Sequence, residues 1–256
     1  LAFIPGIAES GAFVQMISSA GSRHFSVPRL TVGNGVIQAG SCRFSRRGCV
    51  IDLPGISGSI NYGRLTALRS DIMGPFRFLP MECRHGVISM GHTLSGRMSV
   101  DGSEYDFSGG RGYIEKDSGT SFPKSYIWMQ CNDFDGDCSV MVSVADIPFG
   151  GFNFTGCICA IIFRGHEYRL ATYKGVRINA AGPDHISLSQ GSLLLEIDMR
   201  PHGCGHILRS PVKGKISGRI RESCGADVRI RLWDSGNAVF DLKSSGAAYE
   251  YAPDTR

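Results

Sequence analysis

Long apolar runs are missing from this 256-residue chain. No stretch approaches the roughly 20 apolar residues that a membrane-spanning helix requires. Charge is sparse as well, with Asp, Glu, Lys and Arg making up only 20% of the residues. The net balance of +4 is mild, and the arginines are scattered, as at Arg43, Arg46, Arg47, Arg64, Arg69, Arg77 and Arg84. Nucleic-acid binders gather such charge on one face with aromatic residues between, so no nucleic-acid partner is expected. No capped amphipathic helix of ten or more residues can be traced, and low-complexity segments do not occur. The nine cysteines include no Cys-x-x-Cys pair. A disulfide framework is normally even in number and sits in a shorter secreted chain. The cysteines read as small apolar fillers of a reduced, cytoplasmic protein. No signal peptide is visible.

What is present is turn-rich strand. Glycine is abundant at 34 residues, and 42% hydrophobic residues suffice for a real core. Short apolar runs recur at Ala12–Ile17, Gly86–Met90, Ser139–Val144, Cys157–Phe163, Leu193–Ile197 and Asp227–Leu232, the last alternating cleanly. Asp101-Gly102, Asp135-Gly136 and Arg164-Gly165 suit hairpin turns between such runs. This pattern predicts an all-β, antiparallel protein with little helix. Two segments echo each other, Phe3-Ile4-Pro5-Gly6 before Ala12–Ile17 and Ile147-Pro148 before Cys157–Phe163. Both read as strand, Ile-Pro corner, strand. Such an internal repeat divides the chain into two related β units, 1–97 and 98–256. From Tyr251 onward no period is visible, and a frayed tail is expected.

Three motifs invite a site and do not support one. His202-Gly203-Cys204-Gly205-His206 offers two imidazoles and a thiol, but no fourth zinc ligand is suggested nearby. Asp133, Asp135 and Asp137 resemble a calcium loop, yet Val144 stands where the bidentate Glu belongs, so a hairpin turn is expected. Gly6–Gly11 lacks the Gly-Lys-Ser/Thr of a phosphate loop. No metal site is expected, and His92 reads as a surface histidine.

A longer pattern carries more. Gly109-Gly110-Arg111-Gly112-Tyr113-Ile114-Glu115-Lys116-Asp117 is followed by Gly119, by Ser121 to Gln130, and by Asn132 and Phe134. Upstream stand Ile72-Met73-Gly74-Pro75-Phe76, Pro80-Met81-Glu82-Cys83 and His85-Gly86-Val87. Together they resemble the signature of the tocopherol cyclase family. Weaker matches reach Leu170-Ala171-Thr172-Tyr173 and Pro211-Val212-Lys213-Gly214. The resemblance implies two lipocalin-like antiparallel β-barrel or sandwich units with a ligand cavity near their junction. It also implies a hydrophobic small-molecule partner, a prenylated aromatic or another isoprenoid, collected by peripheral membrane association. Members usually carry Trp where Ser118 stands, and they begin with an aromatic strand; the opening strand of the first unit is therefore expected upstream of Leu1.

Ring closure of the family's type needs an acid to protonate an alkene, aromatic faces to shelter a tertiary cation, and a phenol oxygen held close. It needs no metal and no redox cofactor. Strand alternation puts Tyr126, Trp128, Gln130 and Asn132 on one face, two aromatics beside two amides, as substrate-binding candidates. Tyr113 and Glu115 share a face, with Lys116 on the other, and the resemblance makes Tyr113 and Lys116 binding candidates too. Glu115 is the leading catalytic carboxyl. Burial would raise its pKa and Lys116 would lower it. Glu82 with His85 forms a second acid–base candidate, though a bulge or bend is needed to bring them to one face. Two other functions use the same cavity: a non-catalytic carrier of a hydrophobic ligand, and an alkene hydratase in which water captures the cation.

Overall fold

Alternating residues bury one face of nearly every strand, and that alternation organises the chain. The computed structural model describes residues 1–149 and 152–253. Strands β1 (Ala2–Ala8), β2 (Gly11–Ser18) and β3 (Gly21–Val27) form a first sheet. A meander follows through β4 (Leu30–Gly33), β5 (Val36–Ala39), β6 (Cys42–Ser45), β7 (Gly48–Leu53), β8 (Ile56–Tyr62), β9 (Cys83–Val100) and β10 (Ser103–Asp106). Strand β11 (Arg111–Gly119) returns to pair with the opening half of β9.

The remaining strands are β12 (Tyr126–Cys131), β13 (Cys138–Phe149), β14 (Phe152–Phe163), β15 (His166–Ala171), β16 (Arg177–Ala181) and β17 (His185–Gln190). Then come β18 (Leu193–Pro201), β19 (His206–Val212), β20 (Lys215–Ser223), β21 (Ala226–Asp234), β22 (Asn237–Ser244) and β23 (Ala248–Ala252). They make a third sheet in the order β15-β14-β13-β12-β23-β20-β19 and a fourth in the order β16-β17-β18-β21-β22. The pairings are antiparallel throughout, as the register of β13 on β14 and of β18 on β21 illustrates. Short 3-10 turns at Gly74–Phe78 and Thr172–Lys174 are the helical segments among the described residues. No helix there is long and apolar enough to cross a membrane. The fold is the all-β, lipocalin-like arrangement that the composition and the resemblance imply.

Packing explains why some strands alternate and others do not. In β21, Val228, Ile230 and Leu232 turn inward, while Arg229 and Arg231 face out. Their inward side meets Leu195 and Ile197 of β18 and, across the core, Met129, Val142 and Ile161 of the third sheet. Strands β13 and β14 instead bury both faces. Val140 and Val142 enter that core, while Met141, Ala160 and Ile162 pack behind it with Ile72, Met73 and Met90. A strand covered on both sides reads as an unbroken apolar run, as Cys157–Phe163 does. A separate core of Val14, Met16, Ile51, Ile56 and Met98 fills the N-terminal sheets. Gln15 ties these sheets to β19: its amide nitrogen donates to Arg209 O at 2.9 Å, and its oxygen accepts from Arg209 N at 2.8 Å.

The structure corrects four sequence expectations. The Ile-Pro pairs are not corners. Pro5 lies within the edge strand β1, opposite Val14, and Pro148 lies in β13 beyond its last pairing with β12. At both places the missing N–H costs no ladder hydrogen bond on an open edge. The strand sets do not divide at 97, because β9 runs on to Val100 and both β10 and β11 pair with it. Strands up to β11 and strands from β12 onward share no sheet. Tyr251 does not begin a frayed tail, since it pairs with Ile127 inside the third sheet; residues 254–256 and the glycines 150–151 of the second echo lie outside the described residues. His92 is 7% exposed, packed at a tilt against Tyr62 and bonded to Ser89 Oγ at 3.0 Å. The turns at Asp101-Gly102 and Arg164-Gly165 are present with both residues at positive φ, and the nine cysteines are free, six of them buried.

Strands β7 to β9 approach one another most closely at glycine. Gly58 has φ +145°, and a Cβ there would lie 2.3 Å from the carbonyl oxygen of Arg97 on β9. Neither the backbone conformation nor the contact tolerates a side chain. Gly58→Ala is expected to destabilise the protein by about 2 kcal/mol or more. Gly236→Ala, in an open hairpin turn at φ +79°, should cost less. Urea denaturation midpoints of the two variants check the order.

Candidate active site

Where β9 and β11 lie against the third sheet, a cavity of about 130 Å³ opens. Its apolar lining includes Met73, Phe76, Phe122, Ile147 and Ile158. Exposed Glu82 and Pro148 mark its mouth. Into this apolar space project His85, Glu115, Asp117, Tyr126, Trp128 and Glu250.

Register brings the first three together. Asp117 is the direct cross-strand partner of His85 on β9, and its Oδ1 lies 2.9 Å from His85 Nδ1. Glu115, two residues earlier on β11, falls on the same face, and its Oε2 lies 3.4 Å from His85 Nε2. That approach is an ion pair without hydrogen-bond geometry, since Nε2 is buried with no bonding partner. The Tyr113 hydroxyl donates to the same Oε2 at 2.8 Å. The β9–β11 ladder shifts register on both sides of Ile114, which turns this stretch into the seam.

The electrostatics follow from burial. Desolvation pushes the Glu115 carboxyl up to about 7. The His85 charge, the hydrogen bond from Tyr113 and the nearby Trp128 indole dipole pull the other way, and Asp117 adds to the rise. Burial alone would lower His85, yet Glu115 and Asp117 outweigh it and raise the imidazole to about 9. Lys116 does not enter this balance. It is exposed, and its stem lies over Gly86 on the opposite side of β11. It lines no part of the cavity, because successive residues of a strand point to opposite faces.

A second polar row crosses the third sheet. Trp128 on β12, Glu250 on β23 and Glu222 on β20 are successive cross-strand partners. The Tyr126 hydroxyl donates to Glu250 Oε2 at 2.7 Å. Burial and the charge of Glu222 hold the Glu250 carboxyl well above the usual carboxylate range, and burial raises Glu222 as well. The indole N–H of Trp128 is buried without a hydrogen-bond partner beside this row.

The sequence-derived candidates therefore separate. Glu115, His85, Tyr126 and Trp128 meet at the cavity, and Tyr113 supports Glu115 from behind. The pairing of Glu82 with His85 is not formed. Glu82 precedes β9 and is exposed at the mouth, while His85 takes Glu115 and Asp117. Gln130 and Asn132 share the Trp128 face but lie beyond the cavity, and Asn132 donates to Gly112 O at 2.9 Å, joining β12 to β11. Sequence reasoning missed Asp117, Glu222 and Glu250. Asp117 stood inside the quoted signature. Glu250 gave one usable signal, a lone acid between Tyr249 and Tyr251.

The scattered signature stretches meet here as well. Gly74 has φ +52°, and the ring of Tyr173 occupies the space where its Cβ would be. Tyr173 accepts a bond from Arg169 and donates to Ile72 O at 3.0 Å. Arg169, ion-paired with Glu167 at 2.6 Å, also grips the carbonyls of Ser70 and Asp71. This clamp holds Met73 and Phe76 over the cavity. The Lys213-Gly214 turn accepts a hydrogen bond from Glu9 and donates to Thr120 O, just after β11.

His85, Glu115 and Asp117 offer ligand-type atoms within 4.8 Å of one another, a donor set that could hold a divalent cation. An imidazolium cannot ligate, and the raised His85 pKa favours that form up to about 9. His202 and His206 do not converge on a metal. His202 pairs with Asp227 and His206 with Ser19 O.

Comparison with known proteins identifies the family and the fold. A family model described as tocopherol cyclase-like matches residues 55–252. A rice protein named "Probable tocopherol cyclase, chloroplastic" (Oryza sativa subsp. japonica) is 26% identical over 205 residues, 74% of this chain and 44% of that protein. The chain thus spans less than half the length of the curated relatives it matches. The crystal structure of CghA superposes with TM-score 0.63 at 13% identity, over 96% of this chain and 81% of the other. Kievitone hydratase from Nectria haematococca superposes with TM-score 0.54 at 10% identity, over 99% and 83%. These two likenesses bear on the fold.

A histidine raised on folding from 6.5 to about 9 lends its full stability below pH 6.5 and loses it as pH rises through 9. Glu115, raised from 4.5 to about 7, acts in the same sense over a lower window. Stability is therefore expected to fall from acid toward alkaline pH. His85→Gln should remove the slope between 6.5 and 9. Urea midpoints across pH, with the His85 ring followed by NMR, check both.

Proposed function

Because the chain belongs to the tocopherol cyclase-like family, we propose that it is a cofactor-independent isomerase that closes a ring on a prenylated aromatic or related isoprenoid. One observation carries this reading. Glu115 is a half-buried carboxyl, raised to about 7, on the wall of an apolar cavity, and its conjugate base is met by His85 and Tyr113 with the Trp128 N–H close by. A group of this kind holds its proton near neutral pH until substrate arrives. It then loses the proton readily, because the anion is stabilised at once.

Glu115 protonates the alkene, and the pair of electrons in the double bond becomes the new C–H bond. Trp128, Tyr126 and Phe122 present π faces to the resulting tertiary cation. The apolar lining keeps water from capturing it. The substrate hydroxyl then attacks, closing the ring without change of mass. A cavity near 130 Å³ suits one ring-sized group, comparable to a benzene-sized site. The prenyl tail leaves by the mouth at Glu82 and Pro148. Such substrates dissolve in bilayers, so collecting them by peripheral membrane contact belongs to the same proposal, as does a cytoplasmic site of action.

Alkene hydration is the second reading, favoured by exposed groups at the mouth, through which water could reach the cation. A carrier needs no buried acid, which makes the carrier reading the weaker one.

Incubation with a prenylated hydroquinone in D₂O is expected to give a chromanol carrying one deuterium on carbon. Glu115→Gln should lower turnover about a hundred- to ten-thousand-fold with affinity nearly intact. A product heavier by one water would establish hydration instead. A panel of such substrates that bind and never react would leave only the carrier.

A further inference from the structure

We infer that Glu250, paired with Glu222, is the acceptor that removes the hydroxyl proton as the ring closes. The inference rests on the proposed cyclisation. That reaction moves two protons: one goes from an acid to carbon, and one leaves oxygen. When proton and oxygen add to opposite faces of an alkene, donor and acceptor have to approach from different sides. Glu115 enters the cavity from β11, and Glu250 enters it from β23, in another sheet.

The surroundings of Glu250 fit an acceptor better than a structural ion pair. Facing it are Glu222 on β20, Tyr126 on β12, and Glu115 and Asp117 on β11, with Cys224 and the amino group of Leu1 on the Glu222 side. No arginine or lysine is among them. Two largely buried carboxyls side by side with no cationic side chain between them are costly unless they share a proton. A dyad that holds one proton keeps one site free to take another. Tyr126 fixes one oxygen of Glu250, whose side chain lines the cavity. Trp128, its cross-strand neighbour, holds a free indole N–H beside it for a substrate oxygen.

The atoms balance. Glu115 gives its proton to one alkene carbon, and the electron deficiency passes to its tertiary neighbour. A lone pair of the hydroxyl oxygen forms the C–O bond. The O–H bond then breaks, its electrons remain on the ether oxygen, and the proton passes to the Glu222–Glu250 pair. The pair returns that proton through solvent, and Glu115 regains one. No oxidant or reductant takes part.

Glu250→Gln tests the assignment, with Glu115→Gln measured in parallel on the same prenylated hydroquinone. The Glu250→Gln enzyme is expected to lose about a hundred- to ten-thousand-fold in kcat. It should also lose the acidic limb of the pH–rate profile, where the dyad must be free of its second proton, and keep the alkaline limb set by Glu115. At alkaline pH, where both carboxyls of the parent are ionised and repel, it should unfold at higher urea concentration than the parent. A lower kcat with both limbs intact would make Glu250 structural. Near-normal turnover in Glu250→Gln beside an inactive Glu115→Gln would overturn the dyad and leave the cyclisation standing. Absence of cyclisation by the parent protein would overturn both. Should Glu250→Gln fold poorly, glutamate-labelled NMR of the parent decides. Two coupled carboxyl titrations that both collapse to one in Glu222→Gln support the dyad, and an ordinary isolated carboxylate at Glu250 refutes it.

Discussion

A carboxylate taken out of water loses hydration worth several kcal/mol unless charges or donors replace it. Four carboxyl groups, Glu115, Asp117, Glu222 and Glu250, crowd the seam between β11 and the third sheet, with His85 as their cation in the cavity. Asp117 is exposed to solvent, and one imidazolium cannot compensate the other three carboxylates. Protons must make up the difference, so the seam retains ionisable hydrogen near neutral pH. The chemistry argued for this cavity depends on that shortage of positive charge. Adding an arginine here would neutralise the site and remove its acid.

Such a cluster persists only if the scaffold around it is rigid enough to enforce it. Strands β13 and β14 supply that rigidity by burying both faces, one in the C-terminal core and one behind the cavity. Arg169 and Tyr173 fasten the Ser70–Gly74 segment to the third sheet, so the cavity is roofed by a clamped segment. Gln15 and the Lys213-Gly214 turn bind the two strand sets at other points along the seam. Residues far apart in the chain therefore act together.

Much of this was legible without coordinates, and the exceptions are instructive. Tyr113 and Glu115 were placed on one face by strand period alone, and their hydrogen bond bears that out. The same period placed Lys116 away from the cavity, against its inclusion by resemblance. The period failed for Glu82 and His85, because the relevant neighbour of His85 comes from another strand. It also grouped Gln130 and Asn132 with Trp128 correctly by face, yet a face extends beyond the cavity, and alternation carries no information on where the cavity stops.

Local physics decided what the sequence could decide. Strand, turn and side-chain direction depend on residues within a few positions of each other, so the all-β class, the Asp101-Gly102 and Arg164-Gly165 turns and the Tyr113–Glu115 face were determined there. The tertiary structure decided the site's electrostatics. The pKa of Glu115 depends on desolvation and on His85, thirty positions away, and that of Glu250 depends on Glu222 through the pairing of β20 with β23. Coulomb and solvation energies vary with distance in space, and spatial distance between residues remote in the chain is set only when the sheets close on one another.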